Sequence, residues 1–259
     1  MIVIKNHVLE KLKNNEKVVG TFFHTGSALA MDAIGLSGMD YVIIDGEHSP
    51  IAIETAGDMI RTAEAHDLTA FVRVKEISRS SILKPLDLGA KGLIVPQVGG
   101  ISDAKQLIEW AKYPPVGNRG MAMGRGSDFG LGSLPIREHW KYHNEETLLI
   151  PMCETLGCLD KIEEIAALDG VDGIFVGPCD LSIALSHPGE FDDPNVVCAF
   201  KRIANACNDA GKFCLAFSPS LEMTKQFLSW GYHGVASALD INLLLSSYLK
   251  LVKDTKALF

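Results

Sequence analysis

Two acidic residues close consecutive apolar runs in this chain, and they set the chemistry it can do. Glu154 ends the run LLIPMCE (148–154), and Asp180 lies in VDGIFVGPCDLS (171–182), where an apolar strand breaks at Gly177-Pro178 and a helix begins. The pair supplies hard oxygen ligands and neither thiolate nor imidazole. That favours Mg2+ or Mn2+ over zinc, with other divalent ions also admissible, and leaves coordination positions for water and substrate. A 2-oxo acid can fill two of those positions with its carboxylate and oxo oxygens, and the metal then stabilises an enolate. A plainer assignment exists for the same residues. An acid after a strand often caps a helix, and Glu154 with Thr155 can simply open a loop.

Two basic residues fit the same chemistry. Arg73 alternates with Phe71 and Lys75, so the three share one strand face. An inward arginine must meet an acid or a substrate oxyanion, and Asp45 or Glu47 could be its partner in a salt bridge that also holds it for catalysis. His48, in IDGEHSP (44–50), sits among charged neighbours before a proline and is of the residue type that titrates near neutrality, which suits proton transfer. His24, His66, His143, His187 and His233 lack comparable settings and are set aside. GMAMGRG does not follow a strand in the dinucleotide-binding arrangement, and the sequence holds neither a GxSxG elbow nor a P-loop.

Positioning these groups requires a regular scaffold. Apolar runs at 18–23, 41–45, 70–74, 92–96, 148–153, 173–176, 213–217 and 234–238 alternate with helical patterns at 27–36, 51–66, 80–88, 102–112, 159–167 and 196–210, and the last two strands are also each followed by a helix. This predicts a (β/α)8 barrel of one domain over 1–259, with a short amphipathic helix at 6–14 packed outside the core. In such barrels the functional groups follow the C-terminal ends of the strands, where His48, Arg73, Gln97, Glu154 and Asp180 all fall. The Gly-, Pro- and Arg-rich stretch 113–141 is expected to form a long active-site loop, with Arg119 and Arg125 as anion contacts.

Composition narrows the partners. A net charge of −8 with no basic stripe excludes a nucleic-acid footprint and points to small molecules. Six cysteines without a CxxC pair read as free thiols in a reducing cytoplasm. The opening residues lack a signal-peptide pattern, and no apolar run reaches membrane-spanning length.

Taken in order, IDGEHSP, FVRV (71–74), LDLGAKGLIVPQV (86–98), YPPVGNRG (113–120), the strand ending at Glu154 and GPCDLS (177–182) resemble the HpcH/HpaI class II pyruvate aldolases. The resemblance implies a (β/α)8 barrel, assembled as a homo-oligomer (trimer or hexamer), that cleaves a 4-hydroxy-2-oxo acid to pyruvate and an aldehyde with a divalent metal. It implies Glu154 and Asp180 as metal ligands, His48 as general base and Arg73 as stabiliser of the enolate. The backbone at Cys179 and Asp180 would hold the pyruvate carboxylate. Asp87 matches an acid that raises the basicity of the histidine, although the predicted helix puts it at the opposite end of its own barrel, so that it would act across a subunit interface unless the helix bounds differ. Met152 departs from the pattern. It stands where the family usually has a glutamine that helps bind pyruvate, and by alternation it faces the same way as Glu154. Three other activities fit the same residues: decarboxylation of oxaloacetate through the same enolate, a Schiff-base aldolase using Lys75, and a non-catalytic binder of 2-oxo acids.

Overall fold

Each apolar run forms a short parallel strand: β1 (Val18–Phe23), β2 (Tyr41–Asp45), β3 (Thr69–Arg73), β4 (Gly92–Val95), β5 (Leu148–Cys153), β6 (Gly173–Val176), β7 (Phe213–Ser218) and β8 (Gly234–Leu239). In the computed structural model, which describes residues 5–130 and 134–259, the strands pair in sequence order and β8 closes on β1 as a complete barrel. The helices are α1 (His7–Lys13), α2 (Ala28–Leu36), α3 (Ile53–Glu64), α4 (Arg79–Leu88), α5 (Ile101–Ala111), α6 (Ile136–Glu146), α7 (Leu156–Asp160), α8 (Ile162–Ala166), α9 (Pro178–Ala184), α10 (Pro194–Asp209), α11 (Leu221–Ser229) and α12 (Asp240–Lys256). The predicted (β/α)8 barrel is the fold observed. The helix expected at 159–167 is two short helices broken at Lys161, and α9 starts directly at Pro178, where the fixed φ of proline suits a first helical turn.

Alternation along the strands sorts the core into two layers. One side of the sheet, including Val42, Ile44, Val72 and Leu93, packs against the helices, while Phe22, Tyr41, Ile43, Phe71, Ile94, Ile150, Met152 and Phe175 fill the barrel. Space inside is shared between large and small residues. A Cβ on Gly92 would fall 2.6 Å from Phe71 Cδ1, so glycine on β4 makes room for the ring on β3.

Two expectations are corrected. Helix α1 does not pack outside the core. Val8, Leu9 and Leu12 join the cluster inside the barrel, and Asn6, its N-cap, donates its side-chain amide to the Lys91 and Glu146 carbonyls. The segment 113–141 does not lie over the site. It connects the end of α5 to the start of β5, at the end of the barrel opposite the loops that follow the strands. Arg119 and Arg125 are engaged there: Arg119 pairs with Asp87 at 2.8 Å and stacks over Tyr113, and Arg125 binds Glu64 and the Leu88 carbonyl. Positions 131–133 of that segment lie outside the described residues.

Candidate active site

The C-terminal ends of the strands add one polar layer above the apolar filling of the barrel. Asp45 follows Ile43 by two residues on β2, Arg73 follows Phe71 on β3, and Glu154 follows Met152 just past β5, so all three inherit the inward direction. His24, two residues after Phe22, does the same at the end of β1.

Arg73 and Asp45 form a buried ion pair in this layer. Arg73 Nε donates to Asp45 Oδ1 at 2.8 Å and Nη2 to Oδ2 at 2.6 Å, a two-point contact between buried groups. Nη1 lies 3.1 Å from Glu47 Oε2, and the guanidinium carbon sits 4.8 Å from the centre of the Phe22 ring. Both acids named from the sequence are therefore partners of Arg73. Burial pushes the Asp45 carboxyl up, but the bond and charge of Arg73 outweigh it and hold the group below the usual range. Asp45 Oδ1 also accepts the Glu47 N–H at 3.0 Å, which turns the chain tightly after β2.

Glu154 is placed just as firmly. Gln97 donates its main-chain N–H (2.7 Å) and its side-chain amide (3.2 Å) to Glu154 Oε1. Gln97 takes a positive φ of 55° to do so, a conformation uncommon outside glycine. The second oxygen, Oε2, faces Gly177, where a Cβ would fall 2.6 Å away, so glycine keeps that side of the carboxylate clear. Burial, opposed by the Gln97 bond and reinforced by Asp180 and Glu47, pushes the Glu154 carboxyl up to about 7. Burial likewise raises Glu47, with Arg73 opposing. Four acids, Asp45, Glu47, Glu154 and Asp180, thus share one small region with a single arginine.

This donor set fits a hard divalent cation. Glu154 Oε2 and Asp180 would be the ligands, and the added charge would relieve the repulsion that raises Glu154. Among the described residues, the one cluster of three metal-ligating side chains whose ligand atoms all lie within 4.8 Å of one another is elsewhere. It comprises His187, Glu190 and Asp193, in the turn between α9 and α10.

A cavity of about 260 Å3 adjoins these groups, lined by Phe22, His24, His48, Arg73, Met152, Phe175, Gly177, Pro178, Cys179, Asp180, Phe217 and Leu239. The structure thus brings together the predicted residues His48, Arg73, Met152, Cys179 and Asp180, with Glu154 beside them. It does not bring Asp87, which is on the last turn of α4, bonded to Arg119. Lys75 is also apart. It lies past the end of β3, is exposed, and lines a different cavity with Ser80, Ser81 and Lys84. The Schiff-base assignment therefore loses its lysine.

Sequence reasoning misses His24. Grouped there with four other histidines, it has a mostly buried ring, and Nε2 lies 2.7 Å from Asp45 Oδ2. The signal available in the sequence is its spacing of two from Phe22 at the end of a strand.

A closed parallel barrel with its acids gathered at the C-terminal mouth is the arrangement of a (β/α)8 enzyme. The HpcH/HpaI aldolase/citrate lyase model matches residues 19–247, and the chain belongs to that family and so to the carbon–carbon lyases. The chain is 29% identical over 240 residues to the 2-keto-3-deoxy-L-rhamnonate aldolase of Escherichia coli K12, covering 92% of this chain and 88% of that protein. Among solved structures it is similar to a HpcH/HpaI aldolase/citrate lyase family protein from Burkholderia cenocepacia J2315 (TM-score 0.89, 28% identity, 97% of this chain and 99% of that one). It is also similar to the citrate synthase SbnG (TM-score 0.86, 28% identity, 98% of this chain and 100% of that one). Class II aldolases of the family generally use a divalent metal.

Proposed function

We propose that this chain is a class II aldolase that cleaves a 4-hydroxy-2-oxo acid to pyruvate and an aldehyde. The observation that carries the proposal is the convergence of Glu154, Glu47 and Asp180 beside the Arg73–Asp45 pair at the barrel mouth. A divalent ion, Mg2+ or Mn2+, held by Glu154 and Asp180 would supply Lewis-acid stabilisation of the charge on the 2-oxo group. The backbone N–H groups of Cys179 and Asp180, at the start of α9, would bind the substrate carboxylate. Arg73, held by Asp45, directs its guanidinium towards the developing oxyanion. His48, on the rim, takes the proton from the C4 hydroxyl as the C3–C4 bond breaks. Met152 adds an apolar contact where the family pattern has an amide, so it shapes substrate preference and leaves the metal pair intact.

The test needs no knowledge of the aldehyde. Incubating the protein with pyruvate in D2O and Mg2+ or Mn2+ is expected to wash deuterium into the methyl group, followed by NMR, and EDTA should stop it. Exchange that persists without metal would defeat the scheme.

The same reading makes the protein a homo-oligomer, a trimer or hexamer of the family type. Its support is α12. From Ile241 onward every residue is exposed, including Leu244, Leu245, Tyr248, Leu249 and Val252. Val19 of β1 and Leu29 and Leu36 of α2 are also exposed. A second copy offers matching apolar surface for both. Replacing Leu244 and Leu249 together with lysine should lower the mass measured by light scattering towards that of one chain. An unchanged mass would remove α12 from the interface. For Asp87 and the segment 113–141 to serve a site, they must reach that of a neighbouring copy. No helix among the described residues is long and apolar enough to cross a membrane. Four buried thiols, Cys153, Cys158, Cys207 and Cys214, packed as core residues, support a reducing, cytoplasmic setting.

A further inference from the structure

We infer that His24 is the group that moves the proton at C3 of the pyruvate unit, separately from His48 at the C4 hydroxyl. This rests on the aldolase reading and adds a second acid–base residue to it.

The reaction handles two protons in two surroundings. One leaves the C4 hydroxyl, a polar group at the wet end of the substrate. The other must reach C3, which becomes the methyl group of pyruvate, the apolar end. The two histidines at the mouth differ in the same way. His48 has 63% of its side chain exposed, with Nε2 3.6 Å from Glu47. His24 has 17% exposed and faces the cavity walled by Phe22, Met152, Phe175, Phe217 and Leu239. A carbon acid is slow to exchange unless a base is held against it and water is kept away.

His24 is held on three sides. Its main-chain N–H donates to Asp240 Oδ1 at 2.9 Å, and the next residue, Thr25, donates its N–H and hydroxyl to Asp240 Oδ2 at 3.1 and 2.7 Å. Asp240 opens α12, so the loop after β1 is tied to the last helix. The ring meets Phe22 edge-on, with centroids 6.5 Å apart. Nε2 is 2.7 Å from Asp45 Oδ2, the same oxygen that accepts from Arg73 Nη2, so one carboxylate lies against both the imidazole and the guanidinium. That contact is close but poorly aligned, and Nε2 makes no hydrogen bond of good geometry.

Breaking C3–C4 leaves its electron pair in the enolate of pyruvate, and the C4 hydroxyl proton goes to His48 as the aldehyde forms. The imidazolium of His24 then gives its proton to C3, the C2 oxygen returns to a carbonyl, and the neutral ring is reprotonated from water at the mouth. In the reverse direction neutral His24 removes a methyl proton from pyruvate.

His24→Asn and His24→Gln test this with two readouts on the Mn2+-loaded protein. The first is deuterium exchange into the pyruvate methyl group. The second is rapid-quench measurement of aldehyde released from a 4-hydroxy-2-oxo acid. Exchange is expected to fall by about 100-fold or more, while the first equivalent of aldehyde per site still forms as a burst before slow turnover. Wild-type exchange in either folded variant would overturn the assignment, as would equal loss of exchange and of the burst in variants with unchanged Mn2+ affinity. Two variants guard against misfolding of one, with circular dichroism as the check. Wild-type protein that neither exchanges nor cleaves would overturn the aldolase reading itself, and would do so before any substitution is made.

Discussion

Glu154→Gln is expected to raise the melting temperature of the metal-free protein at pH 8 and to abolish its stabilisation by Mg2+ or Mn2+. Burial first, then repulsion from Asp180 and Glu47, pushes this carboxyl up to about 7 against the opposing bond from Gln97. An unfolded glutamate titrates near about 4.3, so the folded state is the one that prefers the proton. The charge therefore costs nothing below about pH 4, costs progressively more between about 4 and 7, and carries its full cost of about 3 kcal/mol above that range. Glutamine has nearly the same shape, keeps an oxygen for both Gln97 donors and carries no charge. Its melting point should exceed that of wild type by roughly 5–10 °C at pH 8, and the gap should shrink at pH 5. Wild type should gain about 2.7 kcal/mol when metal is present at about 100 times its dissociation constant, and the variant nothing. Differential scanning calorimetry at both pH values, with and without EDTA, reads both effects. A variant that melts below wild type at pH 8 would show that Glu154 is not strained by its charge, and one that still responds to metal would show that it is not a ligand.

The barrel is legible in the sequence because its signal is redundant. Eight apolar runs alternating with helical patterns mark the strands, and the strand bounds at 18–23, 41–45, 148–153 and 173–176 match those runs. Arg73 is readable as an inward, paired cation because strand alternation and the acids of IDGEH coincide. Other features depend on contacts distant in sequence. His24 looks isolated in FFHTGS, and only closure of β1 against β2 brings Asp45 to it. Gln97 follows β4, but its grip on Glu154 depends on a backbone conformation that local pattern does not announce. The amphipathic pattern of α1 gives one apolar face and says nothing of what that face meets, which is why the pattern alone leaves the helix outside the core. The segment 113–141 misleads for a different reason: its composition suggests a functional loop, while its place between a helix and the next strand puts it at the far end of its own barrel.

Arg73→Met should cost both stability and activity, and adding Asp45→Asn should restore only the first. The pair is buried and bonded at two points, so removing the guanidinium leaves a carboxylate facing Nε2 of His24 and a space where two bonds were. Such a loss costs about 3–5 kcal/mol, most of it from the stranded charge. The asparagine removes that charge while keeping the size of the side chain and an oxygen for the Glu47 N–H. The double variant should therefore recover about 1–3 kcal/mol, a coupling of the size seen between bonded neighbours. Catalysis follows a different rule, because the oxyanion needs the guanidinium itself. Loss of one such donor costs about 100- to 1000-fold in rate, and the double variant should remain that slow. Arg73→Lys separates charge from geometry. It keeps a cation near Asp45 and Glu47 but loses the planar two-point contact, so it should be more stable than Arg73→Met and still slow. Urea unfolding and pyruvate methyl exchange, on wild type and these three variants, measure the two quantities independently. If stability and activity recover together in the double variant, Arg73 matters only through the fold. If the lysine variant exchanges at the wild-type rate, a positive charge suffices and the two-point contact with Asp45 has no catalytic consequence.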